Sequence, residues 1–304
     1  MKKLLCLLLF TSQLLIAQRN VALLHVERGI TSEALLDEAD FSEIPFEVAG
    51  GMIVVQASVN GNMGNFILDT GAPGIVLDAQ NGAFEAVRKG GAISGGLDLG
   101  EVEVNNFQLG TIKKAKTQGN VLDVHHLEIA CGMDIMGLLG YDVFRNYELV
   151  FDFPNKKIQA FRSGQAHPGQ HSAPTMTIPF TLCGHVPVIV AKIGGKRAFL
   201  GLDSGAEVNL LDKKYFDKIG AGCSNIQPEL LTGLDNVPQD VISADVRETM
   251  LKGEALPQMR YVFTDLCRLR KNFDMPIDGL LGVPFFKDKI VSIDYARKKI
   301  YIWE

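Results

Sequence analysis

An internal repeat constrains this chain more than any other feature. Residues 44–78, IPFEVAGGMIVVQASVNGNMGNFILDTGAPGIVLD, align without a gap over residues 178–212, IPFTLCGHVPVIVAKIGGKRAFLGLDSGAEVNLLD, with 13 of 35 positions identical at a shift of 134. Residues 137–158 align over 279–300 with 9 of 22 identical at a shift of 142, so the second copy carries eight additional residues between the blocks. Between them, Gly96-Leu97-Asp98 is echoed weakly by Gly233-Leu234-Asp235. Order is kept throughout the 304 residues, which marks a duplicated unit. Two copies are too few for a solenoid, so the pattern predicts two similar lobes packed face to face about a pseudo-twofold axis.

The local signals within each copy are those of an all-β fold. Met52–Val59 and Val186–Ile193 are rich in β-branched residues and end in Asn60-Gly61 and Gly194-Gly195, which are hairpin signals. Residues 65–68 and 198–202 read as the return strands, and 148–153 and 290–295 as further strands. Helical signals are few. Residues 32–39 predict one amphipathic helix. Residues 79–89 and Lys213–Ile219 predict one in each lobe, behind the N-cap candidates Asp78 and Asp212. The polar, Pro- and Gly-containing stretch 163–177 reads as an exposed linker. The expected organisation is a signal peptide over 1–18, an N-terminal segment over 19–43, lobes over 44–162 and 178–304, and the linker between them. The N-terminal segment is either a pro-segment or a strand and helix packed on the first lobe.

The first 18 residues, MKKLLCLLLFTSQLLIAQ, combine Lys2 and Lys3 with a short apolar run and lead into Arg19. This is the pattern of a secretory signal peptide, with cleavage expected near Ala17 or Gln18. Thr11-Ser12-Gln13 interrupts the run, which falls short of the roughly 20 apolar residues a bilayer span needs. No other run is long enough, so no stable membrane span is expected. The expected location is exported: periplasmic, cell-surface or extracellular. The balance of 30 basic and 35 acidic residues, net −5, argues against a general nucleic-acid or anionic-lipid binder. Cys131, Cys183, Cys223 and Cys267 remain beyond the signal segment. They allow three pairings or free buried thiols, and no CxxC points to zinc. Cys223 with Cys267 is one pairing open to the second half.

The candidate chemistry lies on two aspartates at the same phase of the repeat: Asp69-Thr70-Gly71-Ala72 and Asp203-Ser204-Gly205-Ala206, each after an apolar strand. A carboxylate at the end of a buried strand is costly unless hydrogen bonds compensate it. Glycine permits close backbone approach, and the Thr or Ser hydroxyl can bond locally. A pseudo-twofold would bring Asp69 and Asp203 face to face. Two carboxylates in contact share one proton, and such a pair can activate water and protonate a carbonyl oxygen. Other constellations are weak. Pro168 and Gly169 break any helix that would align His167 with His171 for a metal. His125 and His126 would point to opposite faces of a strand. No metal and no cofactor is implied.

On these residues the chain resembles the retropepsin and pepsin superfamily of aspartic peptidases. The resemblance also rests on Leu138-Leu139-Gly140 and Leu280-Leu281-Gly282, which in that family form psi-shaped loops supporting each aspartate. Asp278 precedes the second element; Met136 stands at that place in the first. The resemblance implies two retropepsin-like lobes, each a closed acid-protease barrel, with an active-site cleft between them. The alanines after each motif are similar to retroviral-type peptidases and bacterial relatives, and the single two-lobed chain is similar to pepsin. It implies Asp69 and Asp203 as catalytic residues and cross-lobe bonds from Thr70 and Ser204. Flaps would fall on Gly90, Gly91, Ala92, Ile93, Ser94 and Gly95, and on Thr232, Gly233 and Leu234. Neither segment contains the tyrosine of a pepsin-type flap. The implied activity is endopeptidase cleavage of a peptide or protein substrate, for which a monomer is sufficient. The alternative is a catalytically weak or inactive peptide-binding module on the same scaffold. Alanine in place of a hydroxyl at Ala72 and Ala206 removes a donor to each carboxylate, so the expected optimum is mildly acidic to neutral.

Overall fold

Each half begins with a tight hairpin that the sequence dictates. In this computed structural model, which describes residues 18–21, 36–37, 39–80, 88–89, 100–163, 173–233, 235–267 and 276–303, the strand Met52–Val59 turns into Asn62–Leu68 through Asn60 (φ 54°) and Gly61 (φ 84°). Both turn residues are left-handed, which suits the right-handed twist of the flanking strands. Val186–Ile193 turns into Lys196–Leu202 through Gly194 and Gly195 in the same way.

A short buried strand then enters each hairpin sheet from far along the chain. Gly137–Leu139 lies parallel to Asn62–Leu68 and antiparallel to Ile75–Asp78, with Leu139 opposite Leu68 and Leu138 opposite Val76. Gly279–Leu281 takes the corresponding place between Lys196–Leu202 and Asn209–Asp212. A strand covered on both faces needs side chains that bury without polar cost, hence the paired leucines, all of them buried. Glycine must follow. A Cβ on Gly140 would lie 2.2 Å from Ala72 O, and one on Gly282 would lie 2.4 Å from Val208 O.

The pseudo-twofold is visible in a sheet shared by both halves. Its order is Met176–Pro179, Lys299–Trp303, Ile290–Asp294, Tyr147–Asp152, Lys157–Arg162 and Phe41–Ala49. Tyr147–Asp152 runs antiparallel to Ile290–Asp294 with Val150 opposite Ser292. Those two residues are related by the 142-residue repeat shift, so exchanging the copies maps this ladder onto itself. The two lobes share the all-β barrel architecture, and the lobe cores carry fully buried Phe66, Phe107 and Phe144 in the first and Tyr261, Phe285 and Phe286 in the second. The shared sheet takes in residues on either side of 44 and 178. Phe41–Ala49 and Met176–Pro179 are continuous strands running through both positions.

Other local expectations fare differently. Lys213–Ile219 is helical, and the Asp212 side chain caps it by accepting from Lys214 N at 3.0 Å. The amphipathic reading of 32–39 fails at Leu36–Asp37, a strand paired with Lys113 and Lys114. The helix expected over 79–89 fails at Arg88–Lys89, a strand paired with Gly100 and Glu101; residues 81–87 lie outside the described residues. His125 and His126 lie on the helix His125–Cys131, not on a strand. Leu127 packs that helix into the core and His125 pairs with Glu128 one turn on. No disulfide joins Cys131, Cys183, Cys223 or Cys267 among the described residues. Among the described residues no helix is long and apolar enough to cross a membrane. Residues 1–17 of the expected signal peptide and 164–172 of the expected linker lie outside the described residues.

Candidate active site

Each central strand delivers one aspartate into a tight turn. Asp69 and Asp203 are fully buried. Asp69 Oδ1 accepts from Gly71 N at 2.7 Å, and Asp203 Oδ1 accepts from Gly205 N at 3.0 Å. The backbone of each aspartate is held by the inserted strand: Asp69 N donates to Leu139 O at 2.9 Å and Asp203 N to Leu281 O at 3.0 Å. Leu138-Leu139-Gly140 and Leu280-Leu281-Gly282 therefore fix where the two turns sit.

The neighbouring hydroxyls lock the turns to one another. Thr70 Oγ1 donates to Leu202 O at 3.0 Å and accepts from Ser204 N at 2.9 Å. Ser204 Oγ donates to Leu68 O at 2.7 Å and accepts from Thr70 N at 3.0 Å. The four bonds exchange under the repeat, and all the groups are buried and satisfied. Ala72 and Ala206 are fully buried, and each amide closes its turn onto the carbonyl of its aspartate, at 3.1 and 3.2 Å.

These constraints press the carboxyls together. A Cβ on Gly205 would stand 2.4 Å from Asp69 Cγ, so only glycine admits the opposite carboxyl. Burial lifts both carboxyls above the ordinary aspartate range, and the charge of Asp203, in direct side-chain contact, lifts Asp69 further. Two carboxyls so placed titrate as a unit sharing a proton. Their second oxygens, Asp69 Oδ2 and Asp203 Oδ2, are buried and accept no hydrogen bond from the described residues. A buried acceptor left unmatched costs about 1–3 kcal/mol, a cost that a proton shared between the carboxyls reduces. One can take a proton from water while the other carboxyl gives one to a carbonyl oxygen.

The flap candidates are only partly described. Gly90 to Gly95 and Leu234 lie outside the described residues. Thr232 ends the strand Cys223–Thr232 and is buried; Gly233 follows it, and its carbonyl accepts from Asn236 N at 3.0 Å.

Several neighbours of the pair escaped the sequence reading. Buried His185 places Nε2 2.7 Å from Gly71 O, tying the second lobe to the first lobe's turn. Gln18–Asn20 forms a strand parallel to Leu230–Thr232, and Val21 bridges Ala206. Glu207 contacts that strand through both its amide and its side chain. A cavity of about 580 Å³ opens beside Arg19 and Glu207, walled by Phe46, Val48, Phe153 and Pro284. The signal for the two side chains was present in the repeat itself. At a shift of 134, His185 stands over Gly51 and Glu207 over Pro73, two changes of chemical type within the repeated block.

No protein-family model matches the sequence, and no curated protein matches it. Among solved structures the chain is similar to an aspartic proteinase from Irpex lacteus, with a TM-score of 0.53 at 14% identity over 86% of this chain and 97% of that one. It also aligns with Basic 7S globulin from soybean over 87% of this chain and 95% of that one, at 9% identity and a TM-score of 0.48. At 14% identity, the likeness to that aspartic proteinase is one of fold.

Proposed function

We propose that this chain is an exported aspartic endopeptidase built from two fused retropepsin-like units. The observation that carries the reading is the Asp69–Asp203 pair: two buried carboxyls in contact, each with one oxygen anchored by its own turn and one that takes no donor from the described residues. An extended peptide or protein substrate lies across the pair. Water between the carboxyls loses a proton to one of them as it attacks the scissile carbonyl carbon, and the other protonates the carbonyl oxygen. On collapse of the tetrahedral intermediate the C–N bond breaks, the amine takes the proton that the water gave up, one hydroxyl of the intermediate returns its proton to the other carboxyl as the C=O re-forms, and the pair is again singly protonated. A single chain supplies both aspartates, so a monomer suffices. Export rests on the pattern of residues 1–18. Cleavage after Ala17 would leave the strand Gln18–Asn20 whole, whereas cleavage after Gln18 would cut it.

A second reading, a peptide-binding module with little turnover, is favoured by one observation: Gln18–Asn20 already lies along the second lobe next to the aspartate turn. Cleavage of a diverse peptide library by the full chain, read by mass spectrometry with Asp203→Asn alongside, separates the two. Cleavage that disappears in the variant supports the peptidase. Binding without cleavage at any pH from 3 to 8 supports the module.

A further inference from the structure

Arg19 occupies a site built to hold it. Its Nη1 lies 2.7 Å from Glu207 Oε1 and its Nε 3.2 Å from Glu229 Oε2. Glu229 is a buried carboxylate on the strand Cys223–Thr232. Ser243 Oγ donates to its other oxygen at 2.6 Å, and Arg260 Nε approaches that oxygen at 3.4 Å. Glu207 stands where Gly51 of the first lobe has no side chain; a Cβ there would fall 2.3 Å from Glu207 Cγ. The backbone around Arg19 is held as a strand. Asn20 N donates to Glu207 Oε2 at 3.1 Å, Glu207 N donates to Asn20 O at 3.1 Å, and Val21 N donates to Thr232 O at 3.1 Å. Gln18 Nε2 donates to Thr232 Oγ1 at 3.1 Å.

The direction of this strand gives the site meaning. It enters between Leu230–Thr232 and the turn after Asp203, with Val21 opposite Ala206 in an antiparallel bridge. A peptide bound in the same register presents its next residue to Gly205, against which the Asp69 carboxyl is packed. A peptide in this register, followed from its N-terminus, therefore runs past Glu207 and Glu229 towards the turn that carries Asp203.

We infer that Glu207 and Glu229 form a subsite for an arginine side chain on the N-terminal side of the bond attacked, and that the chain's own Gln18–Val21 segment competes for it. The ligand class is an extended peptide bearing a guanidinium, matched by two carboxylates and by backbone pairing on both edges. The inference rests on the peptidase reading for its consequence, but not for its binding.

The test separates the two. The full chain carrying Arg19→Ala, to weaken the native occupant, and Asp203→Asn, to prevent cleavage, is titrated with a fluorescein-labelled Gln-Arg-Asn-Val-Ala-Leu peptide and with the same peptide carrying alanine for arginine. Anisotropy is expected to show the arginine peptide binding about tenfold or more tightly. Glu207→Gln in that background should reduce the ratio towards one. The comparison of two peptides on one folded protein stands even if the Glu207 variant does not fold. Equal affinity for the two peptides, or binding of neither, overturns the subsite. In parallel, the chain with both aspartates is given the peptide library. Cleavage with no preference for arginine overturns the subsite and leaves the peptidase. Arginine-selective binding without cleavage keeps the subsite and removes the peptidase.

Discussion

Four residues beyond Asp69 stands Pro73; four residues beyond Asp203 stands Glu207. Around the aspartates themselves the lobes are near copies, with the same turn, the same inserted Leu-Leu-Gly strand and reciprocal hydroxyl bonds. One shell further out they diverge. The first lobe offers Gly51, Pro73 and Met136, and the second offers His185, Glu207 and Asp278. Asp278 is held by Lys214 at 2.6 Å and accepts from Phe199 N, whereas Met136 packs where a Cβ on Gly64 would stand, 2.6 Å from its methyl carbon. On the proposed reading, the reaction requires both halves to match, while recognition of a directional peptide requires them to differ.

The largest expected effect tests the symmetric part. Asp69→Asn and Asp203→Asn should each lower kcat/KM for a cleaved peptide by about a thousandfold or more, because neither carboxyl can do the other's work. A variant of one lobe keeping a tenth of the activity would break the symmetry. Next come the cross-lobe hydroxyls. Thr70→Val and Ser204→Ala each strand a buried carbonyl and a buried amide, so each should cost about 2–3 kcal/mol in urea denaturation. A gap between them much above 1 kcal/mol would mean that one side carries the junction.

The pair should also cost stability as pH rises. Both carboxyls hold protons more tightly in the folded state than at the ordinary aspartate value of 3.8, Asp203 up to about 7. The native state therefore binds more protons than the unfolded state across that window, and stability falls as pH increases through it. Asp203→Asn is expected to melt above wild type at pH 7, with the difference closing towards pH 4 in differential scanning calorimetry. The smallest effect lies in the outer shell. Asp278→Asn weakens an ion pair between buried Asp278 and partly exposed Lys214 and should cost about 1 kcal/mol, and Met136→Leu less, both measured by the urea midpoint.

Where the determinants were local, the sequence displayed them. Met52–Val59, Val186–Ile193 and the Asp212-capped helix Lys213–Ile219 follow from β-branched runs, turn pairs and a cap, all within a few residues. The aspartates were legible because duplication printed them twice. The helix His125–Cys131 was not, since two adjacent histidines carry no period and its placement depends on Leu127 reaching the core. Leu36–Asp37 and Gln18–Asn20 were hidden for another reason. Their partners, Lys113–Lys114 and Leu230–Thr232, lie about 77 and 212 residues away, and pairing at that separation leaves no local pattern. Glu207 was in plain view, but its ion pair with Arg19, 188 residues away in sequence, leaves no local pattern.

The claim that Asp69 and Asp203 work as one proton-sharing unit is tested most directly by kcat/KM for a single cleaved peptide measured from pH 2 to 9. A bell-shaped profile is expected, with its maximum between mildly acidic and neutral pH, the acid limb marking loss of the shared charge and the basic limb loss of the shared proton. A maximum below about pH 3, or a profile that Asp69→Asn leaves unchanged, would contradict it.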